Sequence, residues 1–345
     1  MRIPCALLGT WIAILAASRL PAAPELDAKD LVITPVMQAP AESALLAARS
    51  ANGKTIVYTT AGAAILFAEE GAAPMTFATL PGRATSLAWV EAPPYEGLAA
   101  LTEQGDGFLF AADGAAAALF KGLGVPVTRI AFTAMPLYHQ RPHGTITEGG
   151  QERLARFGPQ ADAAAGHELP LRIESRLEAL GPKATAFAFA ELPWQKSLLA
   201  LTDSGQIWRI DSLGKAEGWL AVKSLAGGRD LASDPLGLLG GGVIVSVPAR
   251  GELWTVGPDN TPRRLARGLD ALAEGAPYQG AIAVAADGTL YVLAGARVAS
   301  IAPPKDGPLA KSVLAYRQAE KLYLAGQWKE AAASAQGALK GLKSP

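Results

Sequence analysis

An all-β repeat architecture is the fold class that this sequence predicts, and three observations predict it. One phrase recurs: Leu201-Thr202-Asp203-Ser204-Gly205-Gln206-Ile207-Trp208 is matched upstream by Leu101-Thr102-Glu103-Gln104-Gly105-Asp106-Gly107-Phe108, an apolar run, a tight polar turn and an alternating run. Anchored on the glycine of that turn, the phrase falls at Gly62, Gly105, Gly150, Gly205, Gly251 and Gly295. Most intervals are about 45 residues and one is about 55, a period that suits blades of four short strands. The apolar runs are also short and broken by Gly or Pro, of which the chain has 37 and 25, favouring many strands over long helices. The expected fold is a six-bladed β-propeller closed by an N-terminal strand, plus a short C-terminal α-helical hairpin.

Residues 1–23 are read as a signal peptide and processing region. Arg2 supplies a positive start, Ala6 to Ala17 an apolar core, and Ala16 and Ser18 the small residues that cleavage after Ser18 needs. An uncleaved anchor is the other reading, but the apolar run stops at Arg19, short of the roughly 20 residues a spanning helix takes. The expected location is periplasmic or secreted, with no stable membrane span after cleavage. Cys5 is the single cysteine, so the mature chain is expected to lack disulfides, thiolate chemistry and Cys-based metal sites. Lys+Arg and Asp+Glu balance at 31 each, with no long charge block, which argues against a nucleic-acid partner.

Residues 24–303 are read as the propeller. Leu31 to Val36 is a strand with no hairpin partner nearby, and the six blades begin near 43, 84, 127, 184, 229 and 277. The first blade runs through Ser43–Ala48, Lys54–Thr59, Ala64–Phe67 and Met75–Leu80, with Asn52-Gly53 as a tight hairpin turn. The inner strands of blades two, three and four share a second phrase. Ala88-Trp89, Ala131-Phe132 and Ala188-Phe189 each precede a proline (Pro93, Pro136, Pro193) and then Tyr95, Tyr138 and Trp194. The small residue suits crowding near the axis, the aromatic suits packing between blades, and proline ends the ladder because it has no N–H. Blade five carries Gly242–Pro248, Glu252–Val256 and Arg263–Ala266. Blade six carries Ala281–Ala285, Leu290–Val292 and Val298–Ile301, then runs out before a fourth strand. The strand at 31–36 is therefore expected to complete blade six, leaving neither end as a bare edge. The long third interval is assigned to a short amphipathic insertion at Arg172 to Leu180. At 308–342, helix-forming residues with apolar spacing, interrupted at Gly326, predict two helices.

Phrases such as Ser50-Ala51-Asn52-Gly53-Lys54-Thr55-Ile56-Val57-Tyr58 and Ala285-Ala286-Asp287-Gly288-Thr289-Leu290-Tyr291-Val292 resemble the propeller repeats of the NHL, SMP-30 (gluconolactonase-like) and TolB groups. Ala319, Leu322, Gly326, Trp328, Ala331, Ala335 and Ala338 resemble one tetratricopeptide unit, where a free-standing array needs about three. The lactonase resemblance implies a channel calcium held by carboxylates from several blades. Glu91 and Glu191 occupy equivalent positions after their inner strands, and Asp234 and Asp287 lie in comparable later turns. Neither Asn52 nor Asn260 stands where that family's channel Asn would.

Solvated turn acids are the plainer reading of those carboxylates. The other candidates for chemistry are His139 and His143, in a loop with Tyr138 and Arg141. Their four-residue spacing would suit a metal on a helix, which Pro136 and Pro142 oppose; a general base or an exposed loop are the other readings. His167 lies later in the same blade. The turns after the second strands are expected to gather Glu103, Asp106, Glu148, Asp203, Arg250 and Arg297 on one face, their mixed signs suiting a polar binding surface. Trp208 and Trp254, three residues after their glycines, are expected to pack. Tyr323 and Trp328 on the tail are expected to dock on the propeller's side or to form an interface with a second copy or a partner. No cofactor is called for by the motifs themselves. The expected function is an exported non-enzymatic interaction module binding a protein or polymer, with homo-oligomerisation through the tail left open. The alternative is a lactonase-like or lyase-like enzyme using a channel metal or the blade-three histidines. A third reading has only the tail binding, spaced from the membrane by the propeller.

Overall fold

A computed structural model describes residues 31–342, except 52–53, 93, 121, 134, 161–168, 178–182, 191–196, 235, 241, 258, 270–271, 273–277 and scattered positions between 305 and 325. The signal segment, the Asn52-Gly53 turn, Glu191 and His167 lie outside the described residues.

The chain opens with β1 (Val32–Gln38) and then builds five blades in turn. Blade one is β2 (Leu46–Ala51), β3 (Lys54–Ala61), β4 (Ala64–Glu69) and β5 (Met75–Thr79). Blade two is β6 (Ala84–Ala92), β7 (Tyr95–Thr102), β8 (Gly107–Phe110) and β9 (Ala116–Ala118). Blade three is β10 (Val127–Ala131), β11 (His143–Glu148), β12 (Gln151–Pro159) and β13 (Leu171–Arg176). Blade four is β14 (Ala184–Ala190), β15 (Ser197–Thr202), β16 (Gln206–Ile210) and β17 (Ala216–Ala221). Blade five is β18 (Asp230–Ser233), β19 (Val243–Val247), β20 (Glu252–Val256) and β21 (Pro262–Ala266). Blade six is β22 (Tyr278–Val284), β23 (Leu290–Ala294) and β24 (Arg297–Ala302), completed by β1 as its outer strand. The result is six four-stranded antiparallel sheets, a six-bladed propeller whose two ends meet in one sheet. The register of that closure runs from Val32 opposite Ala302 to Gln38 opposite Arg297, the pairing expected of the lone N-terminal strand.

The core is divided rather than central. Each hydrophobic cluster lies between two consecutive blades, as Leu199, Leu201 and Ile207 of blade four do against Val243, Val245 and Val247 of blade five. Both faces of a blade are thus buried, so second strands read as continuous apolar runs; β15, β19 and β23 are buried at every position. The aromatics of the inner-strand phrase fill these clefts from one blade to the one before. Trp89 stacks on Tyr58 at 5.6 Å, Phe132 meets Tyr95 at 5.6 Å, and Phe189 meets Tyr138 edge-on at 5.0 Å.

One expectation is corrected. Arg172 to Arg176 is not an amphipathic insertion but most of β13; Leu171 is buried, exposure then alternates with period two, and Arg156–Glu174 (3.0 Å) and Arg176–Glu148 (3.1 Å) pair across the sheet. Blade three's extra length lies before it, between Pro159 and Leu171. In the tail, the continuous helix among the described residues is α1 (Trp328–Leu342), with Ala331 and Ala338 buried and the Ser334 hydroxyl donating to the Ala315 carbonyl at 2.7 Å. The first arm of the expected hairpin is described only in part. Tyr323 and Trp328 stand 55% and 61% exposed. No helix among the described residues is long and apolar enough to cross a membrane.

Candidate functional site

The central turns build one face because each needs a left-handed glycine at the same point. Gly62, Gly105, Gly150, Gly205, Gly251 and Gly295 have φ between 58° and 83°, where a side chain is disfavoured. On this face the turns interlock with the connections between blades. The Glu103 N–H donates to Arg83 O (2.9 Å), the Gly227 N–H to Asp203 O (2.7 Å) and the Leu269 N–H to Gly251 O (3.0 Å). Arg250 likewise donates to Ala226 O (3.4 Å) and to Ser224 O.

Charge in the central turns of this face is sorted by blade. Glu103, Asp106 and Asp203, from blades two and four, are exposed, and Glu148 of blade three is half-buried beside Arg176 and Arg153 (3.9 Å). The turns of blades five and six bring Arg250, exposed, and Arg297, half-buried, whereas the connections between blades carry exposed cations on both sides of the ring, Arg83, Lys183, Lys223, Arg229 and Arg267. Arg250 pairs with Glu252 at 2.8 Å, and Arg264 approaches the same carboxylate at 3.4 Å. Burial would raise the Glu252 carboxyl, but hydrogen bonds from Arg250, Trp254 and Arg264 prevail and hold it below the usual range. Trp254 Nε1 donates to Glu252 at 2.9 Å, and its counterpart Trp208 Nε1 to Gln206 at 3.2 Å, so both matching tryptophans pack as expected.

At the starts of the inner strands on the same face lies a second polar group that the sequence reading missed. Arg129 Nε donates to Thr185 O of blade four at 2.8 Å, and Arg129 Nη1 meets Glu152 at 3.2 Å. Two blades on, Asp230 accepts the Ile282 N–H of blade six at 3.0 Å and the Leu231 N–H at 2.9 Å. Desolvation pushes the Asp230 carboxyl up to about 6, against the pull of those amides and of Arg229 and Arg129. Burial likewise raises the Tyr278 phenol, which lies beside Ser246 and within the field of Asp230. A sequence signal existed. Thr85, Thr128 and Thr185 align, each hydroxyl capping a second-strand carbonyl (Leu101, Thr145, Leu201), and the next residues are Ser86, Arg129 and Ala186. Arg129 is the departure from that repeat.

The blade-three loop has a different character from the one expected. Tyr138 and His143 are buried, at 1% exposure each. The Tyr138 hydroxyl donates to Ile210 O at 2.6 Å and accepts the Leu198 N–H at 3.0 Å, tying this loop to blade four. His143 Nδ1 donates to Arg141 O at 2.9 Å, which leaves Nε2 as the acceptor nitrogen, without a partner among the described residues. Desolvation lowers His143 to about 4, so it is neutral near pH 7. His139 is exposed, and its φ of 53° shows a turn rather than a helix. The loop is thus mixed: Tyr138 and His143 pack against Phe189, while Leu137, His139 and Gln140 stay exposed. Among the carboxylates, Glu91 is exposed near the end of β6 and Asp287 is exposed in the turn before β23, whereas Asp234 is buried and caps the Leu238 and Leu239 N–H groups at 3.2 and 2.8 Å. No group of three or more His, Cys, Asp or Glu among the described residues is placed to hold a metal.

No protein-family model matches the chain, and no curated protein matches it in sequence. Among solved structures it is similar to a gluconolactonase from Xanthomonas campestris, with a TM-score of 0.56 and 14% identity over 82% of this chain and 92% of that one. It is also similar to virginiamycin B lyase from Staphylococcus aureus bound to quinupristin, with a TM-score of 0.52 and 10% identity over 79% and 99% of the two chains. At such identities the likeness is one of fold.

Proposed function

We infer that this protein is an exported, non-enzymatic propeller that recognises a protein partner through its turn face. One observation carries the reading: the central turns on that face sort their charges, with Glu103, Asp106, Glu148 and Asp203 on blades two to four and Arg250 and Arg297 on blades five and six. Such a dipolar face steers and orients a partner of complementary charge, raising the association rate and fixing register. The regular repeat supports it, because the charged turn residues are ones that packing between blades does not constrain. Export rests on the Arg2 to Ser18 pattern.

The test is capture from an envelope fraction by the immobilised chain, comparing wild type with Glu103→Lys/Asp203→Lys and with Arg250→Glu. A specific partner is retained by wild type, lost from the double reversal and weakened by salt. Equal capture by all three would sink the reading, as would hydrolysis of lactones that depends on added calcium. That second outcome would favour a lactonase-like enzyme, for which the observation is Arg129, Asp230 and Tyr278 at the starts of the inner strands together with the fold of the neighbours.

A further inference from the structure

The cleft between blades one and two holds an arginine that the protein does not neutralise. Arg49 lies near the end of β2, opposite Ile56 and close to the β2–β3 hairpin, so it stands at the end of the blade away from the Gly62 turn. Its guanidinium lies over the Trp89 ring of blade two, with Cζ 4.4 Å from the ring centroid and 5.9 Å from that of Tyr58. Elsewhere in the sheets Arg129, Arg156, Arg176 and Arg263 each meet a carboxylate at 2.9 to 3.2 Å. Among the described residues Arg49 makes no such pair, and its Nε is buried without a hydrogen-bond partner. Glu91, two residues beyond Trp89 on β6, is exposed and forms no ion pair with it.

A second polar group on the same side of blade one is also unmatched. Tyr58 is the diagonal neighbour of Arg49 across β2 and β3, is fully buried, and its hydroxyl has no partner among the described residues. Burial raises its phenol against the pull of the Arg49 charge, so the hydroxyl stays protonated and able to donate. The platform under the guanidinium is rigid: Trp89 stacks on Tyr58 at 5.6 Å and 7°, and Phe67 and Phe77 hold Tyr58 from 6.3 and 5.2 Å. A guanidinium stacked on an indole keeps its in-plane fork of N–H donors directed past the ring edge, and a buried donor is costly until an acceptor meets it. We propose that Arg49 and Trp89 bind the carboxylate of a small organic acid whose body is apolar or aromatic. The carboxylate is planar and matches the fork, and the body extends the aromatic platform; an amine meets repulsion, a neutral amide forgoes the charge, and inorganic phosphate brings nothing to cover the indole. The site lies at the opposite end of the blades from the charged turns, so it is separate from the recognition of a protein partner.

The probe is benzoate titrated calorimetrically into the full chain at low ionic strength, with benzamide, benzylamine and inorganic phosphate as controls. Saturable binding is expected for benzoate, with the controls weaker by roughly tenfold. Arg49→Met, which keeps an unbranched stem on Trp89, weakens benzoate by a similar factor, whereas Arg209→Met, which removes an arginine paired with Glu217 on blade four, leaves it unchanged. Heteronuclear NMR of the arginine side chains locates the event: benzoate should shift an Nε resonance that Arg49→Met deletes. Each variant is first shown to be folded by its circular dichroism and cooperative melt. Should Arg49→Met fail to fold, Arg49→Lys takes its place, keeping a cation on the indole but losing the fork, and benzoate should weaken again. Absence of saturable benzoate binding, equal binding of benzamide or phosphate, or equal loss in the Arg49 and Arg209 variants would each overturn the proposal.

Discussion

Replacing Tyr138 by Phe removes a single oxygen from the interface between blades three and four. That oxygen donates to Ile210 O and accepts the Leu198 N–H, and the ring around it is fully buried. Leu198 and Ile210 face each other across β15 and β16, so the hydroxyl ties both strands of blade four to the blade-three loop. Phe keeps the edge-on contact with Phe189 but leaves a buried N–H and a buried C=O without that partner. Each such orphan costs about 1–3 kcal/mol, so the pair predicts a loss of about 2–6 kcal/mol. In a propeller of this size that lowers the unfolding temperature by roughly 3–9 °C. Urea unfolding followed by fluorescence gives the free energy and calorimetry the temperature. A Tyr138→Phe protein within ~0.5 kcal/mol of wild type would refute the reasoning, because the hydroxyl would then be a bystander and the loop open to the binding role first expected of it.

Other outcomes follow from the same geometry. His143 titrates near 4 in the folded chain against 6.5 unfolded, so the unfolded chain takes up the proton first; its contribution is complete above pH 6.5 and is lost as pH falls towards 4, by about 3 kcal/mol in all. Asp230 works in the opposite sense, since its raised folded pKa of about 6 adds stability as pH falls from 6 towards 3.8. Unfolding measured across pH 4–7 should therefore show His143→Gln gaining relative stability on acidification and Asp230→Asn losing it; parallel profiles would contradict both assignments. Gly62→Ala should cost only about 1–2 kcal/mol, the penalty of a left-handed L-residue, because nothing lies within 4 Å of the added carbon. Gly205→Ala should cost more, since its Cβ would fall 2.4 Å from Ala226 N, and chemical denaturation of the two proteins compares them directly.

Much of the fold was legible because its signals are local. A turn that needs positive φ demands glycine whatever surrounds it, and six such glycines at a steady interval expose the blades. The closing strand was legible by subtraction, as an orphan at one end matched a missing strand at the other. The candidate face was legible in part: Glu103, Asp106, Glu148, Asp203 and Arg250 do gather on one side of the ring. Arg129 and Asp230 were not found because each meets its partners only when blades far apart in sequence come together, Arg129 on Thr185 and Asp230 on Ile282. The β13 strand was misread because Arg172 to Arg176 is polar on its exposed face, and its alternation is short enough to pass for an amphipathic turn.

The sequence by itself determined the number of blades, their starting points and the identity of the closing strand, since period-two patterning and turn chemistry act over a few residues. Tertiary structure alone decided which polar groups are solvated and which are structural. Tyr138, His143 and Asp234 are buried by neighbours outside their own strands, while Ser300 bonds the Thr34 carbonyl across the closure of the ring. Burial and electrostatic convergence depend on three-dimensional neighbours, and in a ring of blades the neighbours of residue 34 include residue 300.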